Sequence, residues 1–290
     1  MINVVCATND AFAQHCAVMA CSVLMNTKAP HNVKFFVLLT KELDSLNRAK
    51  LEDLFNGHGA KFEFILLKEE LFAGLPLKEH LTTDAYSRIF FAGVKKSVDK
   101  FIYLDCDLIV EEDIADLWEQ GLDGAIVSAV YDVAGKTANA YLGLNDWDYF
   151  NTGVMVIDAN KFREFEAEKK AVEFLKKNYS KNVCCDQDVL NFVLCHKRKY
   201  LRLEWNVTTW FFIMKKKDFS DLFRSEYVDA KMRPKIIHFT PLKKPTQYGC
   251  SNPFTYKYFQ YLKFTGFKFR FTFSDRINFV KKAMQRRGIL

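Results

Sequence analysis

The chain has 290 residues and weighs 33.8 kDa, which bounds it to one large domain or two small ones. Its 49% hydrophobic and 27% charged residues exclude a dominantly disordered chain, and 12 Gly and 6 Pro exclude a collagenous or low-complexity one. The net charge is +7, but residues 251–290 hold nine basic residues against the single acid Asp275, so the body is near neutral and a uniformly basic nucleic-acid binder is excluded.

In chain order, Ile2–Ala7 reads as a strand and 10–26 as a helix. Val33–Leu39 is the next strand. It is followed by a helix over 42–56, where Leu43, Leu46, Ala49, Lys50 and Leu54 recur at three-to-four spacing. Phe62–Leu67 is a strand, 84–96 a helix with Asp84 as its N-cap, and Phe101–Val110 a strand. Glu111, Glu112 and Asp113 read as caps for a helix over Asp113–Gln120. Further strands are expected at Ala125–Tyr131, Val154–Asp158, Leu201–Glu204 and Lys235–Phe239, with helices at 160–178 and 186–197. This alternation predicts an α/β fold with a mostly parallel, Rossmann-like sheet covered by helices on both faces. Pro241–Pro253, with three prolines and a Gly, is the linker candidate, dividing a 1–250 domain from a 251–290 tail.

The N-terminus runs directly into an apolar strand, so no secretory leader is expected. Nor does any run reach the ~20 mostly apolar residues of a bilayer-spanning helix. Eight cysteines without a CxxC pair point to a reducing, cytoplasmic setting rather than a zinc–thiolate site.

Ligands of such sheets bind beyond the carboxyl ends of the strands, and chemistry-bearing residues stand there. Asp105-Cys106-Asp107 interrupts an apolar run, and unpaired buried carboxylates are costly. The pair reads either as a hard-cation site for Mg or Mn, or as a turn with capping acids. His238, on the apolar strand Ile236–Phe239, reads as a core histidine or as a third ligand to that pair. Lys244 follows on a Pro-framed loop, placed to clamp phosphate or simply to be solvated. Arg88, flanked by apolar residues, calls for a fixed partner, with a surface ion pair as the plainer reading.

Six segments in order carry a resemblance: Ala7-Thr8-Asn9-Asp10-Ala11-Phe12, Tyr86-Ser87-Arg88-Ile89, Tyr103-Leu104-Asp105-Cys106-Asp107, Phe150-Asn151-Thr152-Gly153-Val154, Asp186-Gln187-Asp188-Val189-Leu190-Asn191, and His238 followed by Lys244-Pro245. Over residues 1–250 the chain resembles glycosyltransferase family 8, the retaining GT-A enzymes that include glycogenin and bacterial lipopolysaccharide glucosyl- and galactosyltransferases. The resemblance implies a GT-A fold and transfer of a hexose from a UDP-sugar to a saccharide or glycolipid acceptor. It implies Asp105, Asp107 and His238 as ligands of Mn2+ or Mg2+. It implies Ala7, Thr8, Asn9, Phe12, Cys106, Asp132, Asn151, Thr152 and Lys244, with Arg88, as donor-binding residues. Asp186, Gln187 and Arg88 are the implied catalytic residues. Two departures stand out: Pro241 occupies the position where the family usually has Gly, and Thr246 stands where it usually has Trp.

Residues 254–282 interleave 11 aromatics with basic side chains. Ser274–Arg287 reads as an amphipathic helix, and residues 251–290 read as a peripheral attachment to an anionic membrane surface on the inner face of the plasma membrane, or as a tail docked on the body. No nucleic-acid motif accompanies them. Two rival functions remain at this level. One is a haloacid-dehalogenase-like phosphatase, which also uses Asp-x-Asp after an apolar strand. The other is a non-catalytic sugar-binding protein of the same fold.

Overall fold

The structure, a computed structural model, describes residues 1–75, 83–145, 147–178, 186–240 and 243–269. Among the described residues, ten strands form two sheets: β1 (Ile2–Ala7), β2 (Val33–Leu39), β3 (Lys61–Leu66), β4 (Lys100–Leu104), β5 (Leu108–Val110), β6 (Val127–Tyr131), β7 (Phe150–Asp158), β8 (Arg198–Tyr200), β9 (Val207–Thr208) and β10 (Ile236–His238). The large sheet has the order β3-β2-β1-β4-β7-β6-β8, and the small one β5-β10-β9. β7 runs antiparallel to both β4 and β6, and the other pairings of the large sheet are parallel.

Helices cover both faces. Val4 and Cys6 of β1 pack on one side with the Ala13–Asn26 and Ser45–Gly57 helices, while Val5 packs on the other with the Thr83–Val94 and Asp186–Leu194 helices. Burial on both sides explains why β1 and β2 read as continuous apolar runs rather than alternating ones. The order reverses at β1, with β2 on one flank and β4 on the other, so the carboxyl ends of β1 and β4 frame a crevice.

Four elements differ from the sequence expectation. The expected strand Phe101–Val110 is two strands in different sheets, joined by the turn Asp105-Cys106-Asp107. Asp105 N–H donates to Gly153 O of β7 (2.8 Å), and Asp107 O accepts from Phe239 N–H just past β10 (2.9 Å). The acidic turn is thereby fastened to both sheets. Leu201–Glu204 is not a strand: β8 precedes it, and Leu203–Trp205 is a 3-10 turn. The helix over 160–178 breaks into Ala159–Glu164 and Ala167–Lys177 at Glu166, which is left-handed with φ +54°. Asp84 is not an N-cap, because its helix already starts at Thr83; its carboxylate accepts from Asn9 Nδ2 (2.6 Å) and Thr40 Oγ1 (2.5 Å). Asp113 does cap its helix, accepting from Ala115 N–H (3.0 Å).

The tail through Phe269 packs on the body. The Thr255–Leu262 helix buries Tyr258 and Leu262 against Val18, Ile109, Ile237 and Phe239. Tyr261 and Lys257 both reach Glu111. Pro241 and the amphipathic stretch expected over 274–287 lie outside the described residues. No helix among the described residues is long and apolar enough to cross a membrane.

Candidate active site

Asp105, Asp107 and His238 converge although more than 130 residues separate the acids from the imidazole. One ligand atom from each lies within 4.8 Å of the others. His238 Nε2 stands 3.1 Å from Asp107 Oδ1 and 3.6 Å from Asp105 Oδ2. Register explains the meeting: β10 pairs antiparallel with β5, and His238 faces Leu108, the residue after Asp107.

The three side chains fit a hard divalent cation. Two carboxylates and an imidazole are a suitable donor set. Gly153 supplies the room: a Cβ there would collide with the imidazole edge of His238 and lie 2.6 Å from Asp105 Oδ2. Burial works against the charged form of Asp107, but His238 and Lys244 outweigh it and hold its carboxyl well below the usual range.

Arg88 has the fixed partners its setting calls for. Its guanidinium donates to Asp105 Oδ1 (2.8 Å), pairs with Asp186 Oδ2 (2.8 Å), donates to Thr152 O (2.8 Å) and lies 4.5 Å from the Tyr103 ring centroid. A surface ion pair is therefore ruled out for this buried side chain. Asp186 opens its helix, where the macrodipole favours a carboxylate. Burial nevertheless raises its pKa to about 6, with Arg88 pulling the other way.

A second cluster lies beside β7. Asp132 Oδ2 accepts from Asn151 Nδ2 and Gln187 Nε2, both at 3.0 Å, and Gln187 Oε1 accepts from Thr152 N–H at 3.1 Å. A bulge in the β6–β7 pairing at Ala129/Val130 falls close to this network.

At the other end, Ala7, Thr8, Asn9 and Phe12 line a cavity of about 260 Å3 together with Asp84, Arg88, Tyr103, the acidic turn and Lys244. Phe12 is 38% exposed, so it is not the core residue its apolar character allows. Asn9 is held on both sides, donating to Asp84 and accepting from Phe12 N–H (3.1 Å). Cys106 directs its thiol to Ala7 O (3.1 Å). Its hydrogen bond with Cys6 and burial push the Cys6 thiol well above its ordinary range, so this group packs as a neutral hydrophobe. Lys244 is not simply solvated: its ammonium is ion-paired with Asp107 and donates to Phe239 O (3.3 Å).

Sequence reasoning missed Asp84, His15, Tyr258 and Asn206. His15 lies beside Phe12 (ring centroids 5.4 Å apart), and its Nδ1 meets the Tyr258 hydroxyl at 2.8 Å. Asn206 meets His238 Nδ1 at 3.0 Å. Its one signal is an uncharged amide between Trp205 and Val207.

A reversed strand order at β1/β4, with an acidic turn at the crevice and an imidazole arriving from the small sheet, defines a GT-A fold. The crystal structure of galactosyltransferase LgtC in complex with donor and acceptor sugar analogs matches with a TM-score of 0.78 and 24% identity over 90% of this chain and 95% of that one. A model described as glycosyl transferase family 8 matches residues 3–248, so the chain belongs to that family and is a glycosyltransferase. General stress protein A of Bacillus subtilis (strain 168) is 28% identical over 270 residues, 91% of this chain and 94% of that protein. Lipopolysaccharide 1,2-glucosyltransferase of Escherichia coli (strain K12) is 25% identical over 250 residues, 84% of this chain and 72% of that protein.

Proposed function

We propose that this glycosyltransferase is retaining and metal-dependent, moving a hexose from a UDP-sugar to a saccharide acceptor, with lipopolysaccharide or another surface glycan as the acceptor class. The convergence of Asp105, Asp107 and His238 beside the crevice carries this reading. Mn2+ or Mg2+ held there would supply positive charge to the diphosphate as it leaves, commonly the largest single contribution to such rate enhancements. Lys244 adds a second cation, released to phosphate when its pairing with Asp107 is exchanged. Ala7, Thr8, Asn9, Phe12 and Cys106 hold the nucleoside, with Phe12 covering the base and Asn9 fixed by Asp84. Asp132, Asn151, Thr152 and Gln187 form the donor-sugar end, where their shared hydrogen bonds fix each amide's orientation.

Arg88 orients Asp105 and Asp186 at once, joining the cation end to the sugar end. A retaining glycosidase would need two carboxyl groups ~5–5.5 Å apart, one of them a nucleophile. Here Asp186 is engaged by Arg88, which favours a front-face displacement: the acceptor hydroxyl attacks the anomeric carbon on the side from which UDP departs. Asp186 and Gln187 orient that centre. The basic residues between 270 and 287 are proposed to hold the enzyme at an anionic membrane surface, each near-surface Lys or Arg contributing about 1 kcal/mol.

Measuring UDP release from a panel of UDP-sugars with Mn2+ tests the reading. Metal-dependent release with one sugar, lost in Asp105→Asn while the fold is kept, is expected. Release that needs no metal, or that persists undiminished in Asp105→Asn, would overturn the metal-dependent UDP-sugar reading.

A further inference from the structure

A run of polar side chains connects the donor-sugar end to His238 through Asn206, which lies outside the family motifs. Asp132 Oδ2 meets Asn151 Nδ2 (3.0 Å), Asn151 Oδ1 meets Asn206 Nδ2 (2.8 Å), and Asn206 Oδ1 meets His238 Nδ1 (3.0 Å). Asn151, Asn206 and His238 are all buried, Asn206 and His238 at 1% exposure. Unsatisfied polar atoms at such depth are costly, so each bond in the run matters.

Two groups of fixed character set its direction. An ionised carboxylate only accepts, so the Asn151 atom facing Asp132 is its NH2. A backbone N–H only donates, and Gly153 N–H points at the other Asn151 atom at 3.0 Å, which is therefore the carbonyl oxygen. That oxygen must also accept from Asn206, so Asn206 turns its NH2 to Asn151 and its carbonyl oxygen to His238. His238 Nδ1 then carries a proton. The Nε2 atom, which faces both acids, is left as the nitrogen able to give a lone pair to a cation.

We propose that Asn206 is a positioning residue: it commits His238 to the tautomer that ligates through Nε2, and it ties that ring to the donor-sugar amide Asn151. The proposal rests on the cation reading of Asp105, Asp107 and His238. Its physical basis is the general one for ligating histidines, whose second ring nitrogen donates to an acceptor that fixes tautomer and ring orientation. Asn206 suits this role because it closes the 3-10 turn Leu203–Trp205 and leads into β9, whose Thr208 pairs with His238 itself. His238 thus sits on β10 and Asn206 immediately before its neighbour β9, where the strand pairing sets their spacing.

The test is titration of Mn2+ alone into the full chain, followed by electron paramagnetic resonance and calorimetry. Three proteins are compared: wild type, Asn206→Leu and Asn206→Asp. Asn206→Leu removes the acceptor and should weaken Mn2+ binding about 10- to 100-fold, the usual range for such partners. Asn206→Asp keeps an acceptor for Nδ1–H but loses the donor to Asn151. It should bind Mn2+ at least as tightly as wild type while raising the KM for the sugar donor. Equal Mn2+ affinity in wild type and Asn206→Leu overturns the proposal. If only Asn206→Asp folds, a tenfold or greater loss of Mn2+ affinity in it does the same. A wild type that binds no Mn2+ overturns the cation reading itself, which separates the two failures.

Discussion

Gly153→Ala tests how closely the site is built around the crevice. In β7 Gly153 has no unusual backbone conformation, so the substitution acts through the added methyl alone. That methyl would lie 2.6 Å from Asp105 Oδ2 and collide with His238, where ordinary contact begins at 3.4 Å. Neither neighbour is free to recede: Asp105 is held by Arg88, and His238 by Asn206 and Asp107. Relief therefore demands a shift of about 0.8 Å in the carboxylate, close to the ~1 Å misplacement that costs on the order of 10²-fold in rate. Overpacking adds about 1–3 kcal/mol of destabilisation. In a chain of this size that lowers the melting temperature by roughly 2–12 °C. The assay is metal-dependent UDP release at saturating donor, with melting followed in parallel. A variant with wild-type turnover and wild-type Mn2+ affinity would refute the claim that Asp105 and His238 close on this glycine.

Further expectations follow from single contacts. Arg88→Ala leaves Asp105 and Asp186 without their shared guanidinium and should cost roughly 3–5 kcal/mol in urea unfolding as well as most of the activity; a loss below 1 kcal/mol would contradict the buried pairing. Burial lowers the pKa of His15 from 6.5 to about 4, so between those values the unfolded chain binds the extra proton and stability rises with pH. Relative to His15→Leu, wild type should lose on the order of 3 kcal/mol as pH falls from 6.5 to 4, and parallel curves for the two proteins would refute this. Leu262→Ala should cost roughly 2–5 kcal/mol, because its helix packs into the body; a negligible change would mean the helix is merely attached. Changing Lys281, Lys282, Arg286 and Arg287 to Glu should weaken binding to anionic vesicles, and unchanged binding would remove the membrane assignment.

The strand–helix alternation was legible in the apolar runs and the three-to-four spacing, and the acidic turn and His238 because each breaks an apolar run with a residue that burial penalises. Phe101–Val110 reads as one strand because a segment buried on all sides has no periodicity to show that it changes sheets at Asp105. Glu166 carries no propensity for a left-handed conformation, so the break between the Ala159–Glu164 and Ala167–Lys177 helices had no local sign. The contact of Tyr258 with His15 spans 243 residues and depends on helix docking alone. Asn206 was visible only as one amide among apolar neighbours, and its meaning comes from the partner across the strand pair.

Crystals grown with Mn2+ and UDP, with anomalous scattering recorded at the manganese edge, would locate the cation itself. A single strong peak bounded by Asp105, Asp107 and His238 beside the nucleotide diphosphate is expected. Manganese bound elsewhere, with His238 still hydrogen-bonded to Asp107 and no ion between the three side chains around UDP, is the contrary result.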